Sequence, residues 1–510
     1  MTRIAEFSNW SYEHLEKSLL PAQGSITKRV ASYAIQFFQF CCFLPLSGLS
    51  SVFSGLENWI SPRASIDTPL VAFSKKPPPW SGAAPLPNIP WGTATAAFHD
   101  NGPLVHNKTN FGELYLKHHP ERFDRESHFP NMWEHPERWV DRLVEIGAKT
   151  FRFSVPRDLI EPREGNFDAA ALQKVIDLCT ELQHRNIVPM VTLEHFSRPL
   201  YQTFETDEGI ESFVNYATTV SERLYAAGVR KILTFNEVGV EPFQGYIMGE
   251  FPPYHKVDFE GAARFFTNMM KAHTKVYRAL KQLHPDFEIG FSHDPIRFRY
   301  FHKMHPVWSP IERIVSKYLT DVNHTMVMTC LKTGNVQLKV PFFSNYSAQL
   351  DETPPFDFLG LQYYTDPCVK LSMFGGASIT RVPNEKITAY CYRQYPQGLA
   401  SAIEELSQFG KPLDLTEVGI DTGINKNDGD VERIAYFEKI LQVVQKALDE
   451  GKNVRSLYFW TLIDNFDWHQ GWDLPTHCPI RFGFYKFDPT RAELTPRPIV
   501  QWIKQKAGVL

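Results

Sequence analysis

Cysteine is scarce in this sequence of 510 residues, and the few cysteines form no pattern. The seven are spread without regular spacing, at Cys41, Cys42, Cys179, Cys330, Cys368, Cys391 and Cys478. An odd number with no recurring interval argues against a disulfide framework and against a zinc site. We therefore expect reduced, structural thiols, which favours an intracellular setting, either cytoplasmic or associated with a membrane.

The chain also lacks a strong charge of either sign. Its 53 Lys and Arg face 57 Asp and Glu, a net charge of −4, so no nucleic-acid partner is expected. There is no Gly-rich phosphate loop and no His/Cys cluster with metal-ligand spacing, so we expect no cofactor and no metal. No sequence repeat of roughly 20–50 residues is evident, which excludes solenoids and propellers.

Apolar and aromatic residues, in contrast, are plentiful. They make up 43% and 14% of the chain, enough to bury a large core. The length permits two or three ordinary domains, but one α/β barrel with an appendage fits as well. Residues 61–86 are rich in Pro and Ser and predict a linker, so the globular domain is expected to span residues 87–510.

The first 60 residues read as an N-terminal extension with an uncharged, apolar stretch at about 30–56. A membrane-spanning helix needs about 20 predominantly apolar residues. Gln36, Gln39 and Pro45 interrupt the stretch, which makes it marginal as a span. Two interpretations stay open: an anchor on or in a membrane, or a helix docked on the globular domain.

From about residue 89, apolar strand-like runs alternate with amphipathic helical stretches. The eight strand candidates are Ile89–Phe98, Lys149–Val155, Val188–His195, Lys231–Glu237, Phe287–Asp294, Phe356–Tyr364, Pro412–Gly419 and Val454–Ile463. The helical stretches include Pro136–Ile146, Ala169–Arg185, Ile210–Ala227, Ala262–Leu283 and Glu432–Leu448. Eight alternating units predict a (β/α)8 TIM barrel, in the α/β class, with an N-terminal apolar extension.

Two copies of the tripeptide Glu-Val-Gly lie 180 residues apart, beginning at Glu237 and Glu417, and each ends a strand-like run. Active sites of such barrels lie at the carboxyl ends of the strands, so the two carboxylates are expected to meet across the barrel mouth. A single strand-end glutamate more often pairs with a nearby Arg or Lys. Two in matching contexts favour chemistry that needs a proton donor and a nucleophile.

Eight ordered segments around these glutamates resemble family 1 of the glycoside hydrolases, the β-glucosidase family, over roughly residues 87–505. The segments are Trp91-Gly-Thr-Ala-Thr, Phe151-Arg152-Phe-Ser, Val-Thr-Leu-Glu-His195, Thr-Phe-Asn236-Glu237, Asp357-Phe-Leu-Gly-Leu-Gln-Tyr-Tyr364, Leu-Thr-Glu417-Val-Gly, Tyr-Phe-Trp460-Thr-Leu-Ile-Asp-Asn-Phe-Asp467-Trp468 and Arg481-Phe-Gly.

The resemblance implies a retaining enzyme that hydrolyses β-glucosides or β-galactosides by double displacement. Glu237 would be the acid/base and Glu417 the nucleophile, with carboxyl groups about 5–5.5 Å apart. Arg152 and Tyr364 would hold Glu417 and favour its ionised form. The residues implied to bind the substrate are His99, His195, Asn236, Trp460, Asp467 and Trp468.

Several positions depart from the family pattern and bear on specificity. His99 stands where a glutamine usually grips the sugar, and Asp467 replaces a longer glutamate. Further departures are Phe196, Val238, Val418, Gln362 and the run Val155-Pro-Arg-Asp158. These changes put the identity of the bound sugar in question, although both catalytic carboxylates are present.

Two other functions stay open. A branch of the family that remodels galactolipids at the chloroplast outer envelope shares the histidine at His99 and an apolar N-terminal anchor. The chain is therefore also a candidate membrane-associated transglycosylase acting on glycolipids, with residues 30–56 contacting the membrane surface. A third hypothesis is a catalytically inactive, sugar-binding barrel.

Overall fold

The computed structural model describes residues 86–509, apart from gaps at 103–109, 123–128, 373–375, 381, 383–384, 389–391, 422–429, 469–470, 472–480 and 489. The predicted extension, its apolar stretch at about 30–56, and the predicted linker up to residue 85 lie outside the described residues. Within the described ranges, no helix combines the length and hydropathy needed to cross a membrane.

Eight parallel strands close into a barrel in which each strand pairs with the next and the last with the first. They are β1 Trp91–Ala94, β2 Thr150–Ser154, β3 Val188–Glu194, β4 Lys231–Phe235, β5 Glu288–His293, β6 Phe358–Tyr363, β7 Leu413–Gly419 and β8 Val454–Trp460. The prediction of a (β/α)8 barrel is confirmed, and all eight expected strands are present.

Helices follow every strand and cover the outside of the barrel. They are Glu137–Ile146, Ala169–His184, Asp207–Ala226, Phe259–Leu283, Trp308–Thr320, Met326–Thr333, Pro396–Ser407, Asp430–Asp449 and Pro498–Ala507. In Asp430–Asp449, the apolar residues that the sequence spaces along one helix face, Ile434, Phe437, Ile440, Leu441 and Val444, are all buried. The apolar periodicity of that helix therefore identified its core-facing side correctly.

Smaller elements are concentrated in the connections above the strands' carboxyl ends. The short helical segments are Ala97–Asn101, Phe111–His118, Pro120–Arg122, Arg157–Ile160, Val240–Pro242, Phe243–Met248 and Asp321–Thr325. Three short strands, Arg299–Tyr300, Cys368–Ser372 and Gly376–Ile379, form one sheet. Two hairpins pair Asn335–Val340 with Ser344–Gln349, and Tyr485–Asp488 with Glu493–Pro496.

The first predicted strand, Ile89–Phe98, was wrong in its second half. The strand ends at Ala94, and Ala97–Asn101 is a short helix. The reason is local, because the Thr95 hydroxyl donates to Asp100 at 2.7 Å and turns the chain back on itself. His99 therefore lies on this helix above the barrel. The predicted run Val454–Ile463 was also too long, since β8 ends at Trp460.

The barrel interior is filled below the mouth by a separate cluster of buried side chains. Its members include Ala94, Met190, Leu233, Phe358, Tyr458 and Trp460, which come from five of the eight strands. Because this cluster fills the interior, the barrel is a packed core with its cleft at one end.

Close approach between β1 and β2 depends on Gly92. A Cβ at this position would lie 1.6 Å from the backbone oxygen of Thr150. We expect Gly92→Ala to lower the free energy of unfolding by about 3 kcal/mol, because backbone atoms of two paired strands must separate. Urea unfolding followed by circular dichroism measures the loss.

Gly165→Ala is the control for the Gly92→Ala variant. An added Cβ there meets nothing within 4 Å, and only the positive φ of +70° opposes it. The expected cost is about 1 kcal/mol from backbone conformation alone. Equal losses for the two variants would contradict the steric account of strand closure.

Candidate active site

Glu417 lies near the end of β7 and is almost fully buried. The register of β7 against β6 shifts between Leu415 and Glu417, so that Glu417 pairs with Gln362. Such irregularities re-aim side chains next to functional sites. The Gln362 amide donates to Oε1 of Glu417 at 2.7 Å, and the Tyr364 hydroxyl donates to Oε2 at 2.6 Å.

Arg152, on β2, is the cation of the site and is fully buried. Its Nη1 donates to Oε1 of Glu417 at 2.5 Å, its Nη2 to Oδ1 of Asn236 at 2.6 Å, and its Nε to Oγ1 of Thr192 at 3.1 Å. The planar guanidinium thus joins three strand ends in one geometry, which a flexible Lys would not reproduce.

The Asn236 side chain is oriented by the donors that surround its carbonyl oxygen. Oδ1 accepts from Arg152, from Gln362 at 2.8 Å and from Ser292 at 3.2 Å. Since all three are donors, this oxygen faces them and the amide nitrogen is turned towards the carboxyl group of Glu237, whose pKa a hydrogen bond from Asn236 lowers. An N–H pair is therefore presented next to the second carboxylate.

Glu237 follows β4 by two residues and has a φ of +42°, a value that non-glycine residues seldom adopt. Its backbone N–H donates to Oγ of Ser292 at 3.0 Å, and the next N–H, of Val238, donates to the Ser292 carbonyl at 3.1 Å. The end of β5 therefore holds the unusual turn that aims Glu237 into the mouth. Its side chain keeps partial access to the cleft.

The two carboxyl groups have different electrostatic surroundings. Desolvation, the charge of Glu417 and the charge of Asp294 together raise the pKa of Glu237 well above its ordinary value. Desolvation also raises the pKa of Glu417, but Arg152 and the Tyr364 hydroxyl oppose that rise. The proton is therefore retained by Glu237, while Glu417 is the group that ionises first.

Two buried histidines, His99 and His195, lie near each other at the same end of the barrel. His99 Nδ1 lies 2.6 Å from the Phe466 carbonyl, so this nitrogen carries the proton and Nε2 is an acceptor. Desolvation lowers the pKa of His99 to about 4, against the opposing effect of Asp467. The pKa of His195 is also far below its usual value, through desolvation and the charge of Arg152. Both rings are neutral at pH 7.

Aromatic rings pack around these histidines. The Trp460 ring centre lies 5.2 Å from that of His99 and 6.3 Å from that of His195. Trp468 stacks on Phe98 at 4.8 Å and packs edge-on against His99 at 5.3 Å. All ten residues singled out from the sequence thus lie at the same end of the barrel, joined by hydrogen bonds, ring contacts or charge interactions.

A comparison with known protein families decides the affiliation. The model described as glycosyl hydrolase family 1 matches residues 87–506. The chain belongs to this family. It is a glycoside hydrolase, and the family resemblance found in the sequence is confirmed.

Two bacterial enzymes share just over a quarter of their aligned residues with this family 1 chain. It is 27% identical to a 6-phospho-beta-galactosidase of Clostridium acetobutylicum over 410 residues, 71% of this chain and 84% of that one. A 6-phospho-beta-galactosidase of Streptococcus mutans is 28% identical over 414 residues, with 71% and 85% covered. A solved beta-glucosidase from Exiguobacterium antarcticum aligns with a TM-score of 0.71 at 22% identity, covering 83% and 98%.

Sequence patterns gave no role to three residues that the glycosidase site uses. Ser292 supports both Asn236 and the Glu237 turn, Thr192 fixes Arg152, and Asp294 acts electrostatically on Glu237. Asp294 itself follows the end of β5, where a barrel places functional groups. That position is the signal that could have identified it.

Replacing Tyr364 tests the electrostatics of this glycosidase site. Tyr364→Phe removes a donor from Glu417, so the pKa of Glu417 rises and the acidic limb of the pH–activity profile moves to higher pH. Because a hydrogen bond to a charged group is lost, we expect kcat/KM to fall about tenfold or more.

Tyr363→Phe is a matched control at the neighbouring residue, the last of β6. Its hydroxyl donates to the Tyr395 carbonyl at 3.0 Å, away from Glu417. The control loses a buried hydrogen bond worth about 1 kcal/mol of stability, but its acidic limb stays in place. Identical profiles for the two variants would show that the Tyr364 hydroxyl does not tune Glu417.

Proposed function

We propose that this family 1 enzyme is a retaining β-glycosidase in which Glu417 is the nucleophile and Glu237 the acid/base. The observation that carries the proposal is the contrast between the two carboxyl groups. Glu417 is ion-paired to Arg152 and accepts from Tyr364, whereas burial and the neighbouring carboxyl groups of Glu417 and Asp294 keep the proton on Glu237. A retaining mechanism needs one ionised and one protonated carboxyl group.

In the first step, an oxygen of Glu417 attacks the anomeric carbon of a β-glycoside, and the bond to the leaving oxygen breaks. Glu237 transfers its proton to that oxygen, so the alcohol leaves uncharged. The product is a covalent ester between the sugar and Glu417. The Asn236 amide nitrogen is suited to donate to the sugar 2-hydroxyl, a contact that strengthens in the transition state.

In the second step, a water molecule releases the sugar. Once Glu417 is esterified its negative charge is gone, and one cause of the raised pKa of Glu237 is removed. The deprotonated Glu237 takes a proton from water, whose oxygen attacks the anomeric carbon and restores the Glu417 carboxylate. Two inversions give net retention of the β configuration.

Two neutral imidazoles and a carboxylate suit an uncharged sugar. His99 offers an acceptor at Nε2, His195 and Trp460 lie beside it, and Asp467 is close enough to act on His99 electrostatically. A carboxylate here would repel the dianionic phosphate of a 6-phosphogalactoside. We therefore infer an unphosphorylated β-glucoside or β-galactoside as substrate.

A panel of nitrophenyl glycosides tests the sugar preference. We expect kcat/KM for the better of glucoside and galactoside to exceed that for galactoside 6-phosphate by at least about tenfold, because one unfavourable charge contact costs several kcal/mol. Asp467→Asn should reduce the ratio of kcat/KM for the unphosphorylated glycoside to that for the galactoside 6-phosphate. A preference for the phosphorylated sugar in the wild type would overturn the inference.

The role of Glu237 is tested by varying the leaving group. Glu237→Gln cannot protonate the leaving oxygen, so hydrolysis of an alkyl glycoside should fall by about 10³-fold. The release of dinitrophenolate, which needs no proton, should fall far less. The basic limb of the pH profile should disappear, because in the wild type activity is lost as pH rises through the raised pKa of Glu237.

Glu241→Gln provides the control for this variant. Glu241 is a buried carboxylate four residues further on that pairs with Arg198. We expect the Glu241→Gln variant to keep the wild-type ratio of activities on the alkyl and dinitrophenyl glycosides. An equal loss on both substrates in Glu237→Gln would contradict an acid/base role.

A further inference from the structure

A large cavity leads away from the mouth of the barrel. Its volume is about 870 Å³, and both Tyr364 and Asp294 are among its lining residues. Tyr364 donates to Glu417, and Asp294 raises the pKa of Glu237. The cavity therefore begins beside the catalytic carboxyl groups, at residues that contact or act on them. Glu237, Glu417, His99 and His195 are not among its lining residues.

The walls of this cavity are predominantly hydrocarbon. Of its 29 lining residues, 20 are Val, Ile, Leu, Phe, Met, Pro or Ala and three are Tyr, so few can accept or donate hydrogen bonds. Much of the wall comes from the connections that follow β4 and β5, including Phe243, Ile247, Phe298, Ile314, Val315 and Leu319. The hydroxyls of a second sugar would lie unsatisfied against such walls, at a considerable cost.

The charged residues that line the cavity are few: Asp294 and the ion pair of Arg122 with Glu250. Asp294, at the catalytic end, is 6% exposed, and its Oδ1 has no hydrogen-bond partner in the described part of the protein. Farther out, Met248, Val257, Phe343 and Ile379 line the cavity and are themselves 44%, 46%, 53% and 48% exposed. Apolar side chains this exposed form a rim that is suited to an apolar ligand.

We infer that the leaving group of the natural substrate is an alcohol with a long apolar tail, which occupies this cavity and reaches its rim. The inference rests on the proposed function, because the cavity holds the leaving group only if Glu237 and Glu417 perform the reaction. The lining fits such an alcohol, since its polar oxygen would lie near Glu237 and Asp294 and its apolar tail against the hydrocarbon walls.

The test is a series of β-glycosides of the accepted sugar with methyl, butyl, octyl and dodecyl groups, assayed with the full chain below micelle-forming concentrations. Burial of each methylene should raise kcat/KM by about fourfold until the cavity is filled. A steryl β-glycoside is assayed alongside. Preference for either the dodecyl or the steryl compound over the methyl compound supports the inference and distinguishes a flexible from a rigid tail.

Two variants test whether the preference for long alkyl chains arises in this cavity. Val315→Trp places a large ring in the cavity, and Phe343→Ser removes an apolar group from its rim. Each should reduce the ratio of dodecyl to methyl kcat/KM at least fivefold. Leu283→Ser is the matched control, because Leu283 is also 53% exposed but does not line the cavity. Its ratio should equal that of the wild type.

Failure of this inference is distinguishable from failure of the proposed function. The fraction of sites labelled by a 2-deoxy-2-fluoro glycoside reports active, folded enzyme in every sample. A fully labelled enzyme with a flat chain-length series would overturn the inference and leave the glycosidase assignment intact. In that case another occupant, such as residues 30–56 of the same chain, would have to be considered. Absence of both labelling and turnover would overturn the proposed function as well.

Discussion

The buried guanidinium of Arg152 is the interaction on which the rest of the site depends. A charge removed from water is stable only if its hydrogen bonds are satisfied, and Arg152 finds its partners on Thr192, Asn236 and Glu417. These groups come from β3, the end of β4 and β7, so the cation fixes the relative positions of strands far apart in sequence. Gln362 of β6 and Ser292 of β5 extend the same network. Six neighbouring strands are thereby tied together at one end of the barrel.

This network also gives two residues of the same type different surroundings. Glu417 lies inside it and is surrounded by donors, while Glu237 projects from a turn beyond it, beside other carboxyl groups. The difference in surroundings, and not in side-chain chemistry, gives one group the proton and the other the charge. Neutral imidazoles and indoles lie near one another at the mouth, and an apolar cavity begins beside the carboxyl groups.

Much of this arrangement could be predicted from the sequence, because alternating strand and helix patterns and residues at strand ends report directly on barrel geometry. The order of the eight strands and the meeting of Glu237 with Glu417 followed from those patterns, whereas the other eight site residues were implied by the resemblance to family 1 of the glycoside hydrolases. The helix that carries His99 was not predicted from the sequence, since it depends on the Thr95–Asp100 hydrogen bond. The bridging role of Gln362 depends on a register shift in β7. The cavity was hidden because its apolar residues, such as those of Trp308–Thr320, have the same periodicity as residues that face a core.

The most direct test of the account is to trap the covalent intermediate. A 2-deoxy-2-fluoro glycoside with an activated leaving group forms the ester with the enzyme but releases it slowly, so the adduct accumulates. Intact mass spectrometry followed by peptide mapping then locates the sugar. We expect one sugar per chain, attached to Glu417, and no adduct in the Glu417→Ala variant. Attachment to any other residue, or steady hydrolysis by the wild type with no adduct, would contradict a retaining mechanism built on Glu417.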